Sequence, residues 1–257
     1  MESFHLQRVR EETFVREVDF HWEIDSTNTH ALRRADESDL VTPLLVLAER
    51  QTAGRGRGAN SWWSAPGALT FSLVIPLDDL PRETVPQLSL TAGLAVCQSL
   101  EQLAPLADLA IKWPNDVYLN ERKLAGILIE MPATRPPRAV IGIGINVNNS
   151  LHAADGELAA RATSLCDALE TQVDLNDVLI GCLQHLEARI GQLAERPTAL
   201  LDQWRAYHLL AGRTITIDTY DGTIHGTCLD LDEVGALLVE TPDGVQRCVG
   251  GVIKHFE

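Results

Sequence analysis

The sequence predicts an α+β domain over residues 1–210 and a small antiparallel barrel over residues 211–257. Three observations carry that reading. Up to Tyr207, strand-length apolar runs are interspersed with stretches whose apolar residues recur at helical spacing. The character changes at Ala211-Gly212. Beyond it come short β-type runs punctuated by Asp-Gly pairs, a dipeptide favoured in tight hairpins.

The elements follow in order. Asp25-Ser26-Thr27-Asn28 supplies several N-caps, and helix formers continue through Ala35. Leu44 to Glu49 reads as a buried strand, and Leu69 to Ile75 as another, stopped by Pro76. Leu88, Ala92, Ala95, Val96, Leu100 and Leu103 recur with helical spacing, so a helix is expected from Pro86 to about Leu103. Strands are expected at Leu109–Trp113, Val117–Leu119 and Leu124–Glu130, the last two joined by a hairpin-like link, and at Ala139–Val147. An apolar stripe from Leu175 to Leu193 marks a helix capped by Asp174, and Pro197 opens the next one. The β-type runs after Gly212 are Thr214–Thr219, Thr223–Leu229, Ala236–Glu240 and Val245–Val249.

Composition narrows the function. The 257-residue chain is 45% hydrophobic, which excludes general disorder. Its net charge of −15 repels phosphate backbones, so no nucleic-acid partner is expected, and an anionic substrate needs a local basic cluster. Neither an apolar signal segment nor a run long enough to span a membrane occurs, and a cytoplasmic protein without membrane partner is expected. The five cysteines are odd in number and form no CxxC pair. The eight histidines show no HExxH and no pair at ligand spacing, so no protein-held metal is expected.

Three stretches carry chemistry. In Gln51-Thr52-Ala53-Gly54-Arg55-Gly56-Arg57-Gly58, glycines free the backbone to fold around a ligand, and two guanidiniums offer planar forks for carboxylate or phosphate oxygens. A mobile surface loop and an RG-type nucleic-acid tract are the other readings; the acidic total charge weakens the second. In Lys112-Trp113-Pro114-Asn115-Asp116, an ammonium ends an apolar strand, and Asn115 and Asp116 leave the sheet as a polar pair. Lys123 re-enters on the next strand. Gly126, on the face of Leu124 and Leu128, leaves room for a flat ligand. A buried Lys–Asp pair in a tight connection accounts for this pattern equally well. In Gly142-Ile143-Gly144-Ile145-Asn146-Val147, a third glycine and a following helix are missing, so the dinucleotide fingerprint fails. A strand with both glycines on one open face, ended by Asn146, fits better. With no GxxxxGK[ST] loop, ATP would be held by other means.

These stretches, in this order and together with Trp62, Asp25-Ser26-Thr27-Asn28 and Ala162-Thr163-Ser164-Leu165, resemble the biotin protein ligases over roughly Phe20 to Leu165. The β-type tail is similar to the family's small C-terminal domain. The resemblance implies a mixed-sheet catalytic domain followed by an SH3-like barrel. It implies activation of biotin with ATP and Mg²⁺ to biotinyl-5′-AMP, then transfer to a lysine of a biotin carboxyl carrier protein or biotin-dependent carboxylase. It leaves a homodimer open.

By residue, the resemblance matches Ser26, Thr27 and Gln51 to positions that hold biotin's polar ring or shape its pocket, with Asn28 beside them as a candidate binding residue. Gly54, Arg55, Gly56, Arg57 and Trp62 form the loop that closes over the carboxylate and phosphates. Lys123 stands at the reacting carboxylate, and Gly126, Gly144 and Asn146 are further candidate binding residues. Lys112, Asn115 and Asp116 position ATP, Mg²⁺ or the acceptor lysine. Lys123, Arg57 and Asp116 are the candidate catalytic groups, Asp116 as the carboxylate nearest the incoming amine.

Two departures stand out. Gly58-Ala59-Asn60 replaces the Arg-Gly-Arg continuation of the common bacterial loop, and Gly250-Gly251 is followed by Val252 rather than Glu, which puts nucleotide contacts from the tail in doubt. The segment Met1 to Asp19 is too short for the helix-turn-helix domain of some family members, so DNA binding is not expected. Two other readings are a lipoate or octanoate transferase on the related fold and a non-catalytic protein that binds biotin or a carrier. Lipoate and octanoate transferases generally lack both the Gly-Arg loop and the Lys-Trp-Pro-Asn-Asp stretch.

Overall fold

Every position of Leu44–Ala48 is buried, as expected of a strand covered on both faces. In the computed structural model, which describes residues 4–105, 107–154 and 156–257, this strand lies in a seven-stranded mixed sheet. Its strands are Glu17–His21 (β1), Leu44–Ala48 (β2), Leu69–Pro76 (β3), Leu109–Lys112 (β4), Asp116–Leu119 (β5), Arg122–Glu130 (β6) and Arg138–Ile145 (β7). Their order is β1-β2-β3-β7-β6-β5-β4. The β1–β2 pair is parallel and the other neighbours are antiparallel.

The helices are Leu6–Glu12 (α1), Thr27–Ala35 (α2), Leu88–Glu101 (α3), Gly156–Arg161 (α4), Leu165–Leu169 (α5), Leu175–Glu195 (α6) and Pro197–Arg205 (α7). The two-residue strand period sorts side chains between two cores. Leu45, Leu47, Phe71, Leu73, Ile141, Ile143 and Ile145 face α3 and α6. Leu44, Val46, Val74 and Val140 face the opposite side, where Ala31 and Ala35 of α2 pack on them. On that second face the sheet continues as Ser72, Gly142, Gly144 and Gly126, and the three glycines lie in the floor of the site.

Several elements match the sequence-based expectations closely. Ser26 caps α2 by accepting from Thr29 N, Asp174 caps α6 by accepting from Asn176 N, and Pro197 stands at the start of α7. Asn120 and Glu121, at φ 49° and 62°, form the two-residue turn between β5 and β6. Pro86 lies in a 3-10 turn, Val85–Gln87, and α3 begins only at Leu88. Five elements escaped prediction. α1, β1, α4, α5 and the strand Val252–Phe256 are short and mix charged with apolar residues, so neither period stands out.

After Gly212 the chain forms a five-stranded antiparallel SH3-like sheet: Thr214–Thr219 (β8), Gly222–Leu231 (β9), Leu237–Thr241 (β10), Gly244–Cys248 (β11) and Val252–Phe256 (β12), in the order β11-β10-β9-β8-β12. Two of its hairpin turns lie one residue earlier than the Asp-Gly pairs suggested. Thr219 pairs with Gly222 and Thr241 with Gly244, so each glycine is the first residue of the returning strand.

The two sheets are joined at the edge strand β4. Ile111 N donates to Tyr207 O at 2.6 Å and Leu209 N to Ile111 O at 3.1 Å, which covers the open edge. Trp113 Nε1 donates to Gly235 O at 3.0 Å, reaching from the first sheet into the second. His208 lies in this joint, with Cys228 Sγ 3.7 Å from its Nε2 and the Trp204 ring 4.7 Å from its centroid. Burial lowers its pKa from 6.5 to about 4. A histidine held neutral by folding takes up its proton more readily when unfolded. Its contribution is therefore intact above pH 6.5 and is lost as pH falls from 6.5 toward 4, at up to about 1.4 kcal/mol per pH unit. Urea unfolding at pH 7.5 and pH 5 is expected to show a smaller acid-induced loss for His208→Gln than for the parent. An equal loss in both would remove His208 from the acid response.

Candidate active site

The residues singled out in the sequence converge on one cavity of about 710 Å³ on the glycine-rich face of the first sheet. Its wall contains Ser26, Thr27, Asn28, Gln51, Arg55, Gly56, Arg57, Trp62, Lys112, Asn115, Asp116, Lys123, Gly126 and Gly144. Among the described residues, Arg55, Arg57, Lys112, Lys123 and Arg161 line it against one carboxylate, that of Asp116, which makes it a local cationic site on a chain of net charge −15.

One end is neutral and polar. Gln51 Oε1 accepts from Thr27 N at 2.7 Å and from Thr27 Oγ1 at 3.1 Å. A backbone N–H can only donate, so the amide orientation is settled and Gln51 Nε2 is left as a donor. Ser72 Oγ donates to Asn28 Oδ1 at 2.7 Å and stands 2.8 Å from Thr27 Oγ1. Asn28 Nδ2 donates to Glu130 Oε2 at 2.8 Å. The start of α2 is thereby tied to β3 and β6 through buried polar side chains, which rigidify a site when each finds a partner.

The Gly-Arg stretch is a short hairpin rather than an open loop. Gly56 N donates to Asn60 O at 2.8 Å, Trp62 N to Gly54 O at 2.9 Å, and Arg55 bridges to Ser61. Gly58, at φ 66°, supplies the left-handed residue of its turn. The guanidinium of Arg55 forks onto Glu130, at 2.9 and 2.8 Å. Arg57 Nη1 donates to Gly251 O at 2.7 Å and so ties the hairpin to the second sheet. Gly251, Val252 and Ile253 join the cavity wall, so the tail reaches the site despite its altered motif.

The lysines occupy different settings. Lys123 Nζ is 2.6 Å from Asp116 Oδ1. The Lys–Asp pair that the sequence left open is therefore formed by Lys123. Lys112 instead lies over aromatic faces, 5.8 Å from the Tyr118 centroid and 5.2 Å from that of Phe256. Burial pushes the Lys112 ammonium toward deprotonation, and burial likewise pushes the Tyr118 phenol up. Asp116 does not leave the sheet: it opens β5, opposite Lys112 on one side and Gly126 on the other. The Asn115 side chain donates to Ile127 O at 2.8 Å and clamps the turn to β6.

Three expectations are corrected. Gly126 does not share its face with Leu124. The β5–β6 register shifts between Tyr118–Lys123 and Val117–Ala125, leaving Leu124 as an extra residue that turns into the core. That shift puts Lys123 on the face of Gly126, three positions away. The face of Gly142 and Gly144 is not open. A methyl group on Gly142 would stand 2.0 Å from Asn28 Oδ1, and one on Gly144 2.3 Å from the Trp62 indole. Asn146 and Gly54 do not line the cavity. Asn146 is buried, donates to Thr163 O at 3.0 Å and accepts from Asn149. It holds the segment whose Thr163 N donates to Lys123 O at 2.9 Å. Gly54 is needed for closeness, because a methyl there would stand 2.6 Å from Trp62 O.

Sequence reading missed Ser72, Glu130, Tyr118, Arg161 and Gly251. Ser72 was legible, with Thr70, as one of two hydroxyls within an otherwise apolar strand. Glu130, Arg161 and Gly251 are polar or small residues at or beside element ends, where such residues are ordinary, and Tyr118 is an aromatic inside β5, where aromatics are ordinary.

Two family models match the chain: the Biotin/lipoate A/B protein ligase family over residues 22–148 and the Biotin protein ligase C terminal domain over 211–255. A Bacillus subtilis protein named bifunctional ligase/repressor BirA is 38% identical over 215 residues, covering 82% of this chain. The chain spans 65% of the length of that relative. A Mycobacterium tuberculosis biotin--[acetyl-CoA-carboxylase] ligase is 34% identical over 245 residues, covering 94% of this chain and 90% of that one. Among solved structures, a biotin protein ligase from Aquifex aeolicus in complex with biotin and ATP superposes with a TM-score of 0.81 at 29% identity, covering 94% of this chain and 99% of that one.

Proposed function

The chain belongs to the biotin/lipoate A/B protein ligase family, and on that premise we propose that it joins biotin to ATP as biotinyl-5′-AMP and passes the biotin to a lysine of a biotin carboxyl carrier domain. The observation that supports this most is the pairing of a neutral polar pocket with a cationic wall in one cavity. Biotin has a neutral ureido ring at one end and a carboxylate at the other. The two ends of the cavity answer those two chemistries.

In this reading Gln51 Nε2 donates to the ureido carbonyl, and Ser26, Thr27 and Asn28 shape the ring pocket. A carboxylate oxygen of biotin attacks the α-phosphorus of ATP, a P–O bond forms, and pyrophosphate leaves. Two anions must meet, and Lys123, Arg55 and Arg57 offset that repulsion and stabilise the charge at the transition state. Hard oxygen donors suited to Mg²⁺ stand in the wall at Asp116, whose Oδ1 is on Lys123, and at the Asn115 side-chain carbonyl. Held there, such an ion would supply positive charge against the phosphates. The carrier amine then attacks the acyl carbon and AMP leaves, with Asp116 as the carboxylate that orients the amine. We assign the adenylation chemistry to residues 1–210 and the wall that closes it to residues 211–257. An ATP-consuming reaction and five free cysteines support a cytoplasmic setting.

The deciding experiment incubates the full chain with ATP, Mg²⁺, biotin and a carrier domain and reads the mass of the carrier. A gain of one biotinyl group is expected. Transfer of lipoate or octanoate without biotin transfer would overturn the reading. Arg57 links the hairpin to Gly251 O, so Arg57→Ala is expected to shorten the lifetime of the bound adenylate by about tenfold or more while biotin binding changes little. Equal adenylate lifetimes in the two proteins would exclude a retaining role for the hairpin.

A further inference from the structure

Asp19 and His21 alternate along the edge strand β1 and so share one face, and α2 brings His30 onto that face. One ligand atom from each of the three lies within 4.8 Å of the others. The His30 Nε2 to Asp19 Oδ2 distance is 3.1 Å, and the two imidazole centroids are 4.6 Å apart. His21 Nε2 is buried and has no hydrogen-bond partner among the described residues. None of these residues lines the biotin-type cavity.

We propose that Asp19, His21 and His30 form a binding site for a divalent transition-metal ion of the Zn²⁺ type. Donor chemistry selects the ion. Two imidazoles with one carboxylate suit zinc and its neighbours, whereas magnesium and calcium require an all-oxygen set. The geometry is close to what such an ion needs. Bonds of about 2.0–2.1 Å in a tetrahedron put ligand atoms about 3.3 Å apart. The His30–Asp19 pair, at 3.1 Å, is already close to that spacing, and a rotation of the His21 ring would set the other two edges, which now lie within 4.8 Å.

Charge favours a cation as well. The Arg34 guanidinium bonds Glu17 at 2.7 Å, Glu37 at 3.0 Å and Asp19. Three carboxylates face one guanidinium, so with neutral imidazoles the cluster is anionic. Arg34 orients the Asp19 carboxylate as an outer partner does in built metal sites. The Asp19 and His30 side chains are 19% and 24% exposed, which gives the ion a way in and leaves a fourth position for water. A bound ion would fasten β1 to α2, the helix whose first turn holds the polar end of the cavity.

The test uses the untagged full chain and Zn²⁺ alone, followed by calorimetry and by metal analysis after dialysis. One ion per chain at micromolar free Zn²⁺ is expected, with a rise in Tm, because a ligand that binds the folded state alone stabilises it. His21→Ala and His30→Gln are each expected to weaken binding at least about tenfold and to remove the rise in Tm. Excess Mg²⁺ is expected not to displace the ion. No binding at micromolar Zn²⁺, or equal binding in both variants, would overturn the proposal. A Co²⁺ spectrum with a thiolate charge-transfer band would do the same by moving the ion to a cysteine.

Discussion

Lys123→Ala is expected to slow adenylate formation by about 10²–10³, the usual effect of deleting one preorganised group that meets charge developing in the transition state. Geometry makes the loss severe for two reasons. The ammonium is the cation fixed on the sheet floor beside Gly126, and the register shift at Leu124 aims it there. Removing it also strands the Asp116 carboxylate, its partner at 2.6 Å, in the wall that must receive two anions. Biotin-dependent pyrophosphate release measures the step directly. A near-normal rate would remove Lys123 from the chemistry. Lys123→Arg keeps the charge but misplaces it, and is expected to restore biotin binding more than rate.

Gly142→Ala is expected to damage stability and biotin binding together. The new methyl would stand 2.0 Å from Asn28 Oδ1, inside contact distance. Asn28 cannot yield cheaply, because it is buried and held by Ser72 at 2.7 Å and Glu130 at 2.8 Å. Overpacking of this kind costs about 1–3 kcal/mol, and loss of the Asn28 hydrogen bonds to Ser72 and Glu130 adds to it. A lower urea midpoint and a KM for biotin raised about tenfold or more are the expected readings. Gly191→Ala is the control. It sits in α6 with nothing within 4 Å of the added methyl, and is expected to be neutral or stabilising by up to about 1 kcal/mol. An unchanged midpoint and KM in Gly142→Ala would mean that Asn28 is not wedged against the strand.

The two variants probe different kinds of information. Lys123 was visible as a lysine re-entering a strand beside a glycine, and its role follows from residue type. Gly142 was visible only as a gap in a strand. That Asn28 fills the gap depends on residues 114 positions apart meeting in space, which no local pattern encodes. The same holds for the Arg55–Glu130 fork and for Trp62 seated on Gly144. Both expected faces were read from simple alternation, and alternation fails where a bulge adds a residue, as at Leu124.

By itself the sequence determined the local structure and the chemical inventory. A cap within Asp25–Asn28, the Asp174 cap, the apolar run Leu44–Ala48 and a hairpin link within Leu119–Lys123 act over a few residues, where backbone preferences and side-chain period dominate. The stretches Gln51–Arg57 and Lys112–Gly126 named the reactive groups for the same reason. Only the tertiary structure decided which group meets which. It gave Asp116 to Lys123 rather than Lys112, placed Lys112 over Tyr118 and Phe256, carried the tail at Gly251 to Arg57, and set His21 beside His30. Electrostatic and packing energies depend on distance in space, and the sheet order β1-β2-β3-β7-β6-β5-β4 sets those distances between segments far apart in the chain.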